Sequence, residues 1–232
     1  MSVTMQSSTT TAPARFLLLG DSHVGPVGRA AAAARIPHSG GPVGAGRDFF
    51  GDFFDAADHD IVFRLPDMDH CFRGFLTELN IDCVAELAVP LISTIGFAPH
   101  FVATKQNWTL YRSTVCDWKD FLSSSLFGDI VMAMLAPALA FYRQLCAFGL
   151  RVAAVMPPQR VPMQADADVF LAAQNIIGQC VAEIGVEVID PRRRITDETG
   201  FQRKELCEVN DEIHGNLAWG RIVLSELLDH GL

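Results

Sequence analysis

The stretch Arg15-Phe-Leu-Leu-Leu-Gly-Asp-Ser-His23 decides the reading of this chain. Four consecutive apolar residues ending in glycine have the form of a buried strand that runs into a tight turn, and Ala30 to Arg35 then supplies strong helix formers. A serine is thereby placed at the carboxyl end of a first strand, just ahead of a helix. Further apolar runs follow at Ile61 to Leu65, Val89 to Ile95, Arg151 to Met156 and Val186 to Ile189, and each reads as a strand. Between them, Ile130 to Phe148 is helical in pattern, with a kink expected at Pro137. Val169, Phe170, Ala173, Ile176, Ile177, Cys180, Val181 and Ile184 recur at three- and four-residue steps, and Trp219, Ile222, Val223 and Leu227 mark a closing helix. Strands alternating with helices imply a parallel sheet covered on both faces, with ligands at the carboxyl ends of the strands. The glycine- and proline-rich stretch Pro37 to Gly46 reads as a loop whose backbone can approach a ligand closely.

Composition bounds the rest. The 232 residues, half of them hydrophobic, suffice for one domain with a sizeable core. Met1 to Ala14, rich in serine and threonine and without the basic-then-apolar pattern of a secretory signal, reads as a disordered tail ahead of a domain over 15–232. A formal net charge of -9 argues against nucleic acid or an anionic membrane as partner and leaves a small molecule. The greasiest stretch, Ile130 to Leu150, is broken by Pro137, Arg143 and Gln144, so no uninterrupted run approaches the roughly 20 residues of a membrane helix. Six cysteines without a C-x-x-C pair read as reduced thiols, which places the protein in the cytoplasm.

A serine hydroxyl becomes a useful nucleophile only when a base within hydrogen-bond reach takes its proton and a carboxylate orients that base. The far end of the chain offers both in Asn210-Asp211-Glu212-Ile213-His214-Gly215-Asn216, where an Asp three residues before a His can fold back onto the imidazole. Asp211 is equally suited to cap the closing helix.

Gly20-Asp21-Ser22 after the first strand and Asp211-x-x-His214 before the last helix together resemble the SGNH/GDSL hydrolases, over residues 15 to 230. The resemblance implies a three-layer α/β/α sandwich with a mostly parallel, five-stranded, flavodoxin-like sheet. It also implies a serine esterase that cleaves a carboxylic ester, such as an O-acetyl or short acyl group, through an acyl-serine intermediate without metal or cofactor. Ser22 would be the nucleophile, His214 the base and Asp211 its orienting carboxylate. Gly41-Pro-Val-Gly44 looks like the family's Gly-x-x-Gly, so the oxyanion would be bound by the backbone amides of Ser22 and Gly44. The family's Gly-x-Asn-Asp corresponds here to Gly96-Phe-Ala-Pro99, with Ala98 in place of the oxyanion asparagine; His100 and Asn107 are the candidate substitutes. Losing one such donor elsewhere typically costs about 100- to 1,000-fold in turnover.

Three other readings compete. Asp21-Ser-His23 also fits the Asp-x-His of a calcineurin-like metallophosphoesterase, and Gly51-Asp-Phe-Phe-Asp55 resembles that family's next block, but its Gly-Asn-His and Gly-His-x-His are missing from the sequence. Ala98 would suit a catalytically weak SGNH-fold binding protein, and an acyltransferase would pass through the same acyl-serine. Phe49, Phe50, Phe53 and Phe54 form either ordinary core or the wall of an acyl pocket. Residues 97–128 lack clear periodicity and are expected to pack over the site.

Overall fold

A computed structural model describes residues 13–211 and 213–232. Most of the expected N-terminal tail, residues 1–12, lies outside the described residues. The chain runs through β1 (Leu17–Gly20), α1 (Val24–Ala33), β2 (Ser39–Pro42), β3 (Phe54–Ala56), β4 (Ile61–Phe63), α2 (Pro66–Glu78) and β5 (Leu91–Ser93). It continues with α3 (Pro99–Val102), α4 (Lys105–Thr114), α5 (Trp118–Leu122), α6 (Ser125–Ala147), β6 (Val152–Val155), α7 (Ala167–Glu183), β7 (Glu187–Ile189), α8 (Arg192–Ile195) and α9 (Leu217–Asp229). Five strands pair in parallel in the order β2-β1-β5-β6-β7.

Alternation along β1 shows why the sheet needs cover on both sides. Leu17 and Leu19 enter one core with Met68, Phe72 and Leu76 of α2 and the inner faces of α6 and α7, whereas Phe16 and Leu18 enter another with α1 and α9. All four are fully buried, which is why the strand reads as an unbroken apolar run rather than an alternating one. The α/β/α layering expected from sequence is therefore the observed one.

Two strand assignments change. Ser39–Pro42, expected as loop, is the edge strand β2, in register with β1 from Leu17↔Ser39 to Gly20↔Pro42. Its two glycines carry no side chain from which a period could be read, and its pairing is made by backbone alone. Ile61–Phe63, expected as a strand of an alternating α/β pattern, instead pairs antiparallel with β3 in a separate hairpin. It is half-covered, with Ile61 and Phe63 buried and Val62 exposed.

The segment 97–128 is mostly helical. Trp108, Phe121 and Phe127 meet with ring centroids 5.1–6.0 Å apart and anchor α4 and α5 to the start of α6. Arg112 lies over the Trp118 ring and pairs with Asp166, the N-cap of α7. Phe49 and Phe53 are core, and Phe53 and Phe54 both pack on Phe141. By length and composition alone α6 could cross a membrane; Phe127, Val131, Leu135, Ala138, Phe141, Tyr142 and Leu145 on its inner face are buried in the sheet's cover. The six cysteines are unpaired.

Helices α1 and α9 pack closely. A Cβ on Gly220 would lie 2.1 Å from the Pro26 carbonyl oxygen, so α9 can seat against α1 only because the residue is glycine. Gly220→Ala should lower the urea unfolding free energy by about 1–3 kcal/mol through overpacking. Gly74→Ala, on the exposed face of α2 with nothing within 4 Å of the added methyl, should be neutral or stabilising.

Candidate active site

Strand β1 delivers Gly20-Asp21-Ser22-His23 to the carboxyl edge of the sheet, between the loops that follow β2 and β5. The turn is fixed by a pair of reciprocal hydrogen bonds to Thr94, just beyond β5. The Asp21 amide donates to Thr94 Oγ1 (3.2 Å), and that hydroxyl donates to Asp21 Oδ1 (2.7 Å), which also accepts the His23 amide (3.0 Å). Gly20 allows this closeness, because a Cβ there would sit 2.4 Å from Thr94 Oγ1. Asp21 is 1 % exposed and thus acts as a buried strut beneath Ser22. Thr94 carries no motif, and sequence reasoning missed it; the one available cue was its place one residue past an apolar strand that neighbours β1.

Ser22 Oγ lies 2.6 Å from His214 Nε2, and His214 Nδ1 lies 2.7 Å from Asp211 Oδ2. An ionised carboxylate only accepts, so the imidazole proton resides on Nδ1 and Nε2 is left to receive the serine hydroxyl's. Asp211 Oδ1 accepts the amides of Ile213 (2.9 Å) and His214 (3.1 Å), which closes the turn that aims the ring. Burial works to raise the Asp211 pKa, but these amides and the imidazole outweigh it and hold the carboxyl below its ordinary 3.8.

Asp211 does not cap α9. That role belongs to Asn216, whose Oδ1 accepts from the amides of Ala218 and Trp219 while its Nδ2 donates to the carbonyls of Glu205 and Cys207. The same residue thus starts the helix and ties down the loop that carries His214. Further ties come from the Glu208 amide to the His214 carbonyl (3.1 Å) and from Arg29 of α1 to Glu208 (2.9 Å). A cleft of about 390 Å³ opens beside the three side chains, lined by Pro26, Arg29, Glu208 and Val209 with Ser22, Asp211 and His214.

The remaining expected residues divide. A side chain on Gly44 would meet Met68 and Asp48, whereas one on Gly46 would meet Asp21 Oδ2 (3.0 Å), the Ala98 methyl (3.1 Å) and Phe101 (3.3 Å). Gly46 is therefore the glycine whose side-chain position abuts the serine turn. Ala98 is buried and offers no donor. Asn107 is exposed on α4, its amide directed at the Phe101 carbonyl (3.4 Å). His100 does come to the site, its ring edge-on to His23 at 6.3 Å between centroids, and His23 in turn lies 5.3 Å from His214.

Two of these three imidazoles are held neutral. Burial is the main cause for both, and it lowers the His23 pKa against the opposing pull of Asp21. His100 is lowered to about 4 by burial and then by its proximity to His23 and His214.

No protein-family model matches the sequence, and no curated protein is detectably similar to it. Solved structures do match over nearly the whole chain. One is a candidate lipolytic protein of the G-D-S-L family from Desulfitobacterium hafniense DCB-2, with a TM-score of 0.51 at 7 % identity over 92 % of this chain and 97 % of that one. Another is a candidate platelet activating factor from Streptococcus pneumonia, with a TM-score of 0.51 at 16 % identity over 96 % of this chain and 86 % of that one. The chain has the SGNH/GDSL-hydrolase fold.

On this SGNH/GDSL fold the loops after β1, β2 and β5 and the turn before α9 converge on Ser22, and the neutral histidines lie among them. In the unfolded chain each of those imidazoles takes up a proton near its ordinary 6.5, whereas in the folded protein protonation is deferred to lower pH. The unfolded state therefore binds more protons below 6.5, so stability falls as pH falls, and for His100 the loss continues down to about 4. The urea midpoint should be lower at about pH 5 than at about pH 7, and the difference should shrink in His100→Gln.

Proposed function

We propose that this protein is a serine esterase that cleaves a small carboxylic ester through an acyl-serine intermediate. The observation that carries the reading is the hydrogen-bonded chain Ser22 Oγ, His214 Nε2, His214 Nδ1, Asp211 Oδ2, with links of 2.6 and 2.7 Å. His214 removes the hydroxyl proton as Ser22 attacks the ester carbonyl. Asp211 holds the tautomer and stabilises the imidazolium that forms. The alkoxide leaving group takes the proton back from His214, and water, activated by the same ring, hydrolyses the acyl-serine. The backbone amides assigned to the oxyanion are those of Ser22 and Gly46, the latter replacing Gly44 because it abuts Asp21 and Ala98. The lipolytic description of one structural neighbour agrees with an ester substrate. Six unpaired thiols agree with a reducing compartment, the cytoplasm.

The metallophosphoesterase reading loses support for a positive reason. The Asp21 carboxylate is engaged with Thr94 and the His23 amide, and Asp55 of the second resembling block is paired with Arg64 at 2.7 Å. A weak binding protein is favoured by one observation, the buried Ala98 where a donor is expected.

Hydrolysis of p-nitrophenyl acetate and butyrate discriminates among these readings. The wild type should turn over at least one of them, unaffected by chelator, and Ser22→Ala or His214→Ala should each lower kcat by about 1,000-fold or more. Activity lost to chelator, or retained in Ser22→Ala, would overturn the proposal.

A further inference from the structure

A side-chain donor to the oxyanion is worth about 100- to 1,000-fold in turnover elsewhere, and the neighbouring loop after β5 presents first a methyl group, Ala98, which lies against the side-chain position of Gly46 and can donate nothing. Two residues on, His100 turns back toward the site. Its ring packs against Phe101 (4.2 Å between centroids), and Phe101 is the residue that a side chain on Gly46 would touch. On its other side His100 faces His23, which adjoins His214. The imidazole is thus bracketed by the two parts of the structure that flank Ser22, the Gly46 turn and the histidine pair.

The ring is only partly covered, unlike that of His23, and neither of its nitrogens has a hydrogen-bond partner among the described residues. On the premise that the chain is the serine esterase described above, we propose that His100 is a catalytic residue, its neutral imidazole donating an N–H hydrogen bond to the substrate's carbonyl oxygen as that oxygen becomes negative. No proton is transferred in this step; the N–H is shared, and it is released when the carbonyl re-forms.

A neutral donor avoids a second cation beside His214. His214 becomes cationic at the tetrahedral stage, and a second cation at His100 would oppose it across the short span occupied by His23. Burial, reinforced by the two neighbouring histidines, keeps His100 uncharged down to about pH 4. Among the described residues, the carboxylates that face this cluster are Asp21, held by Thr94, and Asp211, held by His214, and neither pairs with His100.

The test uses full-length protein and an ester that the wild type hydrolyses. His100→Phe, which keeps the aromatic packing on Phe101, should lower kcat by about 100- to 1,000-fold with KM little changed, because the donor acts on the oxyanion and not on the ground state. His100→Gln, which restores an N–H donor, should recover at least about a tenth of wild-type kcat. A trifluoromethyl ketone, which forms a hemiketal oxyanion on Ser22, should bind to His100→Phe more weakly by the same factor as kcat falls. Full kcat in His100→Phe, or equal loss in the Gln and Phe variants with unchanged inhibitor affinity, would overturn the assignment. A wild type that hydrolyses no ester at all would instead remove the underlying esterase reading.

Discussion

Ser22 and His214 are 192 residues apart in the chain, and the 2.6 Å hydrogen bond between them is the constraint that the rest of the architecture serves. Neither end of the chain can build the site alone. The parallel sheet holds β1 between β2 and β5 with its carboxyl end free, and α9 returns the C-terminal turn to that same edge by packing on α1. The absence of a side chain at Gly220 sets how closely α9 can approach, and the link from Arg29 to Glu208 joins α1 directly to the loop that carries His214. Burial of Trp219, Val223 and Leu227 against the sheet therefore contributes to positioning the imidazole as well as to the core.

The electrostatics of the site follow from where charge is allowed. Asp211 is partly exposed and well supplied with donors, so it stays ionised beside His214. Asp21, almost wholly buried, is held by a hydroxyl and an amide and serves as scaffold beneath Ser22. His23 and His100 line the site as neutral rings, in surroundings where one imidazole, His214, is positioned to take up a proton. Burying the imidazoles of His23 and His100 beside one serine costs stability at acid pH.

Much of this was legible in the sequence where side chains carry the signal. The apolar runs at β1, β5, β6 and β7 and the three- and four-residue steps of α7 and α9 mark burial directly, and Ser22, Asp211 and His214, singled out by residue type and spacing, are brought within hydrogen-bond reach of one another. What escaped reading is held by backbone or by contact across the sheet. Strand β2 pairs through Ser39-Gly-Gly-Pro42, whose glycines leave no period. Thr94 resembles any threonine after a strand until β5 is seen beside β1. The aromatic anchoring of α4 and α5 likewise depends on Trp108, Phe121 and Phe127 meeting from three separate elements.

The central claim is that Ser22 is an activated nucleophile, and covalent labelling tests it without knowledge of the natural substrate. Purified protein treated with a fluorophosphonate and weighed intact should gain the mass of one phosphonyl group, mapped by peptide sequencing to Ser22 and lost in Ser22→Ala and His214→Ala. A well-folded wild type that gains no adduct, or that is labelled equally in Ser22→Ala, would contradict the account.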